Sequence, residues 1–122
     1  RRAVRLVVDL RAGRFMGPAP AAAAAARSTD GRFLAAGADG LKMFPAEALP
    51  PAALRAWRAV LPKPTLVFAV GGMRPDNLLP YWEAGADGFG TGSNLYKPGA
   101  PAAGVRDAAL AYARGVGALP RR

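Results

Sequence analysis

One five-residue word occurs twice in the chain. Ala36-Gly37-Ala38-Asp39-Gly40 recurs as Ala84-Gly85-Ala86-Asp87-Gly88, about 48 residues later. Each copy follows a helical pattern and precedes a short apolar run. Glycine ends helices readily, because left-handed backbone costs it little, and a short apolar run bounded by glycine or proline reads as a buried strand. Two copies of one helix-to-strand junction imply repeated βα units, hence a parallel sheet or part of a barrel. The separation holds two such units.

The rest of the punctuation agrees. Leu41–Phe44 reads as a strand, and Pro50-Pro51 sets up a helix start. Leu54, Trp57 and Leu61 fall on one face of that helix, with Arg55 and Arg58 elsewhere. Pro62 and Pro64 end it, and Thr65–Val70 is the next strand, closed by Gly71-Gly72. Pro75 opens another helix. Pro80 inside it would cost about 3 kcal/mol in a regular turn, which predicts a kink or a short helix. Gly88 to Gly92 reads as a third short strand and its loop, and Val105, Ala109, Tyr112 and Val116 mark one face of a last helix. Upstream, Val4–Val8 and Arg14–Met16 read as short strands around an otherwise irregular segment. After Met16 come an alanine run from Ala19 to Ala26, a turn at Ser28-Thr29-Asp30-Gly31 and a helical turn through Phe33 and Leu34.

At 122 residues the chain is about one domain, short of the roughly 200 residues of a complete eight-fold barrel. Its composition, 52% hydrophobic and 20% charged, is that of a globular protein, and no apolar run approaches the roughly 20 residues of a membrane span. Arg5 and Asp9 interrupt the first apolar stretch, which argues against a signal peptide. With no initiator Met, residue 1 need not be the natural start. The absence of cysteine removes disulfide and thiolate chemistry, and the absence of histidine as well argues against a transition-metal site. A net charge of +9 suits an anionic partner, but the basic residues are scattered and no basic block interleaves with aromatics. A phosphorylated small molecule fits that pattern better than nucleic acid.

Lys42 is the residue that carries chemistry. It sits in the middle of an apolar strand, where an ammonium is rarely buried without a partner. Burial disfavours the charged form and frees the amine to attack a carbonyl, so Lys42 is a candidate Schiff-base nucleophile at a strand's C-terminal end. The plain alternative is a lysine that snorkels to solvent. Functional groups of parallel barrels collect at such strand ends. Two others follow, Val70-Gly71-Gly72 and Gly90-Thr91-Gly92-Ser93. Glycine lets backbone N–H groups approach an anion, so Gly71, Gly72, Gly92 and Ser93 are a candidate phosphate cradle, with tight-turn glycines as the alternative.

In order, these motifs are Gly-Ala-Asp-Gly-Leu-Lys-Met-Phe-Pro-Ala-Glu from Gly37, Val-Gly-Gly from Val70, Pro-Asp-Asn-Leu from Pro75, and Gly-Ala-Asp-Gly-Phe-Gly-Thr-Gly-Ser-Asn-Leu-Tyr-Lys-Pro-Gly from Gly85. Together they resemble the C-terminal half of the class I 2-keto-3-deoxy-6-phosphogluconate and 6-phosphogalactonate aldolases. Val70 and the Leu95-Tyr96-Lys97-Pro98-Gly99 ending bring the phosphogalactonate branch closer. The resemblance runs from about Gly37 to Gly99. It implies an α/β fold, the C-terminal part of a (β/α)8 TIM-type barrel that is incomplete in this chain, with residues 1–36 divergent and residues 37–122 carrying the βα units. It further implies a cytoplasmic, usually trimeric enzyme that needs no metal or other cofactor and binds neither nucleic acid nor membrane. The implied reaction cleaves a 2-keto-3-deoxy-6-phospho sugar acid to pyruvate and glyceraldehyde 3-phosphate. Lys42 would match the Schiff-base lysine, and Gly71, Gly72 and Ser93, with Gly92 beside them, the phosphate-binding positions. Phe44 and Pro45 would wall the pyruvate pocket, Val70 would be a hint of epimer preference, and Glu47 would be structural.

The resemblance also has a gap. The family's acid/base glutamate and a substrate-binding arginine belong to the N-terminal half, and this chain has no counterpart of either. The chain is therefore expected to be a truncated, rearranged or frame-shifted product. Three readings stand open: an aldolase or its fragment, a non-catalytic remnant, and a phosphate-binding barrel protein without lysine chemistry. An incomplete barrel leaves open strand edges, so self-association is the expected behaviour in sedimentation, and a clean monomer is the result that counts against it.

Overall fold

The computed structural model describes residues 7–9, 14–16, 40–63 and 65–121. Among these, five strands form one sheet in the order β2-β1-β3-β4-β5. Strand β1 (Val7–Asp9) lies antiparallel to β2 (Arg14–Met16) and parallel to β3 (Gly40–Met43). Strands β4 (Leu66–Val70) and β5 (Gly88–Gly90) continue the parallel run. A 3₁₀ turn at Ala46–Ala48 and helix α1 (Pro51–Val60) connect β3 to β4, and helix α2 (Leu78–Glu83) connects β4 to β5. Helix α3 (Ala102–Gly117) follows. The repeated word thus brackets two βα units, and the class is α/β. The described strands make an open parallel run with one antiparallel edge, not a closed barrel. The alanine run, the turn at 28–31, the helical turn through 33 and 34, the first copy of the word before Gly40, and Pro64 lie outside the described residues.

The second copy of the word explains itself letter by letter. Ala84 caps α2, Gly85 adopts φ 109°, and the Gly85 and Ala86 N–H groups bond back to Trp82 and Tyr81 carbonyls at 2.9 Å each. This is a Schellman turn, which needs glycine at its left-handed position. Ala86 is fully buried. The Asp87 carboxylate accepts the Val67 N–H at 2.8 Å while the Asp87 N–H donates to the Val67 carbonyl at 2.8 Å, so one residue seats β5 beside β4. Gly88 then leaves room for Phe68, since a Cβ there would stand 3.0 Å from the ring.

Arg58 completes this junction. Its guanidinium bonds Asp87, the Gly85 carbonyl (2.7 Å from Nε) and the Thr65 carbonyl at 2.6 Å. The hydrophobic pattern had set Arg58 apart from the packed face of α1. The structure corrects this: Leu54 is buried and Trp57 and Leu61 are half-buried as expected, but Arg58 shares the interface because the turn beside it offers carbonyls and a carboxylate.

One face of the sheet carries the core. Leu41 and Met43 alternate with Lys42, and Val67 and Ala69 alternate with Phe68. The four alternating apolar residues pack with Leu54, Leu78, Tyr81 and Met73. Helix α2 is short, as the proline predicted. Pro80 falls in its first turn, where the missing N–H has no intrahelical partner to lose. Helix α3 differs from expectation. Its half-buried residues are Val105, Ala108, Ala111, Tyr112 and Gly115, while Ala109 and Val116 are exposed. The face is rotated because Gly115 lets the helix meet the Pro75 backbone, 3.2 Å from where a Cβ would sit.

Asp87→Ala strands the guanidinium and the Val67 N–H together, so it should cost about 2 to 3 kcal/mol in urea unfolding. A double-mutant cycle with Arg58→Ala should return a coupling of about 1 kcal/mol or more. Strict additivity would show that the two side chains do not act as a pair.

Candidate active site

Strand alternation decides where Lys42 goes. Leu41 and Met43 face the helices, so Lys42 faces the other side of the sheet, level with Phe68 on β4 and Gly88 on β5. Asp9 of β1 occupies the same register level. Lys42 is half-buried rather than enclosed, and its Nζ lies 4.4 Å from the centre of the Phe44 ring. A cation over an aromatic face is attracted by the ring's quadrupole.

Lys42 opens into a cavity of about 580 Å³. Of the residues singled out from sequence, Lys42, Phe44, Val70, Gly71, Gly72, Gly92 and Ser93 all line it. Pro45 does not. It backs onto Gly71, where a Cβ would come within 3.0 Å of it. Sequence reasoning missed Phe68, Met73, Phe89 and Asn94 as lining residues, and named Gly90 and Thr91, which also line it, only as part of a strand end. Period-two alternation of β4 from Val70 would have found Phe68, whose room comes from Gly40 and Gly88 on its two flanks. Phe89 and Met73 carried no such signal, because each also packs against the apolar core.

The two glycine loops differ in kind. Gly71 and Gly72 have φ of 98° and 66°, and side chains there would run into Pro45 and Glu47. Turn geometry therefore explains both without a ligand. The Asn77 amide holds this turn by donating to the Gly72 carbonyl at 2.9 Å and accepting the Arg74 N–H at 2.8 Å. At Gly92 a Cβ would meet nothing within 4 Å. No packing demand accounts for that glycine. Leu95 and Tyr96 N–H groups fold back onto its carbonyl at 2.8 and 2.9 Å, and the segment Thr91–Asn94 is exposed at the cavity rim.

Glu47 is exposed and lies against Gly72, outside the cavity lining. Behind it, the Tyr81 hydroxyl donates to the Ala46 carbonyl at 2.7 Å. Burial, and then the Glu47 charge, raise the Tyr81 pKa above its ordinary 10.0. Among the described residues, no group of three or more His, Cys, Asp or Glu side chains comes together as a metal site, and no helix is long and apolar enough to cross a membrane.

Comparison with known proteins gives this geometry a relative. A Rhizobium meliloti (strain 1021) protein named "Probable 2-dehydro-3-deoxy-6-phosphogalactonate aldolase" is 51% identical over 77 residues, covering 63% of this chain and 36% of that protein. The Escherichia coli (strain K12) 2-dehydro-3-deoxy-6-phosphogalactonate aldolase is 50% identical over 66 residues, 54% of this chain and 32% of its own length. The matched part of this chain is homologous to 2-dehydro-3-deoxy-6-phosphogalactonate aldolases. Its kinship is thus to enzymes, aldolases by name. A solved structure described as "Native KDPGal structure" superposes with a TM-score of 0.67 at 39% identity, over 81% of this chain and 45% of that one. A designed cube-shaped protein cage, made by fusing symmetric oligomeric domains, matches with a TM-score of 0.66 at 39% identity over 80% of this chain and 34% of that one. No family model matches. The chain spans about a third of the length of the curated aldolases it matches.

The raised Tyr81 pKa has a defined sign. The folded chain holds this proton more tightly than the unfolded chain, so the stability it contributes is complete below about pH 10 and is lost as pH rises through the folded value. Tyr81→Phe should remove that alkaline slope from urea midpoints, at a cost of about 1 kcal/mol at neutral pH for the lost hydrogen bond. An unchanged slope would place the proton release elsewhere.

Proposed function

We propose that this site is that of a class I aldolase, cleaving 2-keto-3-deoxy-6-phosphogalactonate to pyruvate and glyceraldehyde 3-phosphate through a Schiff base on Lys42. One observation carries the reading. Strand alternation turns Lys42 into the same cavity that receives the glycine loops following β4 and β5. The homology to aldolases supports the substrate class.

The neutral Lys42 amine attacks the C2 carbonyl, and loss of water leaves an iminium. The C3–C4 bond then breaks with its electron pair drawn into the iminium, giving an enamine and releasing the aldehyde. The C4 hydroxyl proton passes to water. Protonation at C3 and hydrolysis return pyruvate and the free lysine. The iminium is a cation, and the Phe44 ring that attracts the ammonium at 4.4 Å favours it for the same reason. The phosphate lies at the glycine loops. Gly92, with open space where a Cβ would be, lets a ligand reach the backbone, and Ser93 offers a hydroxyl beside it.

In the same reading, residues 37–122 are the C-terminal βα units of a (β/α)8 barrel, residues 1–36 are divergent, and the working enzyme is a metal-free, cytoplasmic homo-oligomer. Phe44 and Val70 shape the pyruvate end, and Pro45 acts on the cavity through Gly71.

Borohydride trapping with pyruvate tests the chemistry. An adduct one pyruvyl unit in mass should form, map to Lys42 and be absent in Lys42→Ala. A folded chain that gives no adduct would leave the non-catalytic remnant, with the lysine motif surviving only as ancestry.

A further inference from the structure

The Met73 carbonyl is a junction between the two loops that line the cavity. It accepts the Tyr112 hydroxyl of α3 at 2.6 Å and the Asn94 side-chain amide at 3.2 Å. The Tyr112 oxygen is in turn 2.9 Å from the Thr91 hydroxyl. A carbonyl has no proton to give, so Tyr112 spends its only proton on Met73 and must accept from Thr91. The Met73 side chain is buried, 1% exposed, and Gly115 brings α3 against the Pro75 backbone one turn along from Tyr112. The loop after β4 and the loop after β5 are therefore fastened to each other, and both are fastened to α3.

We propose that Tyr112 is a positioning residue for the substrate phosphate: it fixes the separation between Gly71-Gly72 and Gly92-Ser93 so that one anion can reach both. This deepens the aldolase reading and rests on it for the identity of the anion. With its hydrogen committed to Tyr112, Thr91 presents only lone pairs to the cavity and cannot donate to a phosphate. Among the described residues Ser93 has no such commitment, so its hydroxyl, the second Asn94 amide hydrogen and the backbone N–H groups are donors that remain on these two loops. Thr91 thus lines the phosphate subsite without binding phosphate, and acts through Tyr112.

The test is a titration of the chain with inorganic phosphate, followed at the Gly72, Gly92 and Ser93 backbone amides by NMR well below the melting temperature. Tyr112→Phe should weaken phosphate binding about fivefold to tenfold, the worth of one hydrogen bond in the clamp. Thr91→Val, which removes no donor to phosphate, should weaken it in the same direction by a smaller factor. A variant with a lowered melting temperature but wild-type phosphate affinity would show a purely structural tyrosine and overturn the proposal. So would a wild-type chain whose loop amides ignore phosphate. If Tyr112→Phe does not fold, Thr91→Val decides alone, and unchanged affinity there overturns the proposal. Pyruvate trapping, which involves no phosphate group, reads Lys42 separately. A loss of phosphate affinity in Tyr112→Phe, together with a wild-type chain that forms no pyruvyl adduct, would uphold the clamp while refuting the Schiff-base reading.

Discussion

The Asp87 carboxylate holds the molecule's geometry together. It accepts the Val67 N–H near the start of β4 and pairs with Arg58 of α1, whose guanidinium also reaches the Gly85 and Thr65 carbonyls. Three segments distant in sequence meet at one side chain: the helix before β4, the start of β4 and the turn before β5. A hydrogen bond to a charged partner contributes more than a neutral one, and each of these groups would be costly to leave unpaired at a half-buried junction. With β4 and β5 seated in register, the loops that leave their C-terminal ends fall side by side. The cavity is a consequence of that seating.

On the cavity face, small residues make room for large ones. Gly40 and Gly88, the closing letters of the two copies of the repeated word, flank Phe68, and Gly90 clears space for Val70. A side chain at any of the three would displace its neighbour, so these glycines are required by close approach and not by backbone conformation. Gly71 and Gly72 are required for the opposite reason, positive φ in a tight turn. Gly92 answers to neither demand, which is why the ligand reading rests on it more than on the glycine pair.

Helix α3 shows how a polar contact can set the orientation of a weakly apolar helix. Its sequence offers two nearly equivalent apolar stripes, through Ala109 and Val116 or through Ala108 and Gly115, and both contain Val105 and Tyr112. None of its residues is fully buried, so hydrophobic burial discriminates little between them. The Tyr112–Met73 hydrogen bond and the close approach of Gly115 to Pro75 favour the second.

The sequence by itself determined the elements and their order. Prolines and glycines placed the helix starts, the short α2 and the strand ends, because each acts through its own backbone chemistry within a few residues. The repeated word announced two βα units, and the apolar run around Lys42 marked a strand. What only the tertiary structure decided involves partners far apart in the chain. Arg58 looked like a solvent-facing cation because two of its three partners, Gly85 and Asp87, lie 27 and 29 residues away. Phe68 and Phe89 looked like core, and the Tyr112–Met73–Thr91 clamp left no trace, because a hydrogen bond spanning 39 residues has no periodicity to read. Local sequence encodes what a segment becomes; which segments face each other is settled by packing, and the candidate site is built from the facing.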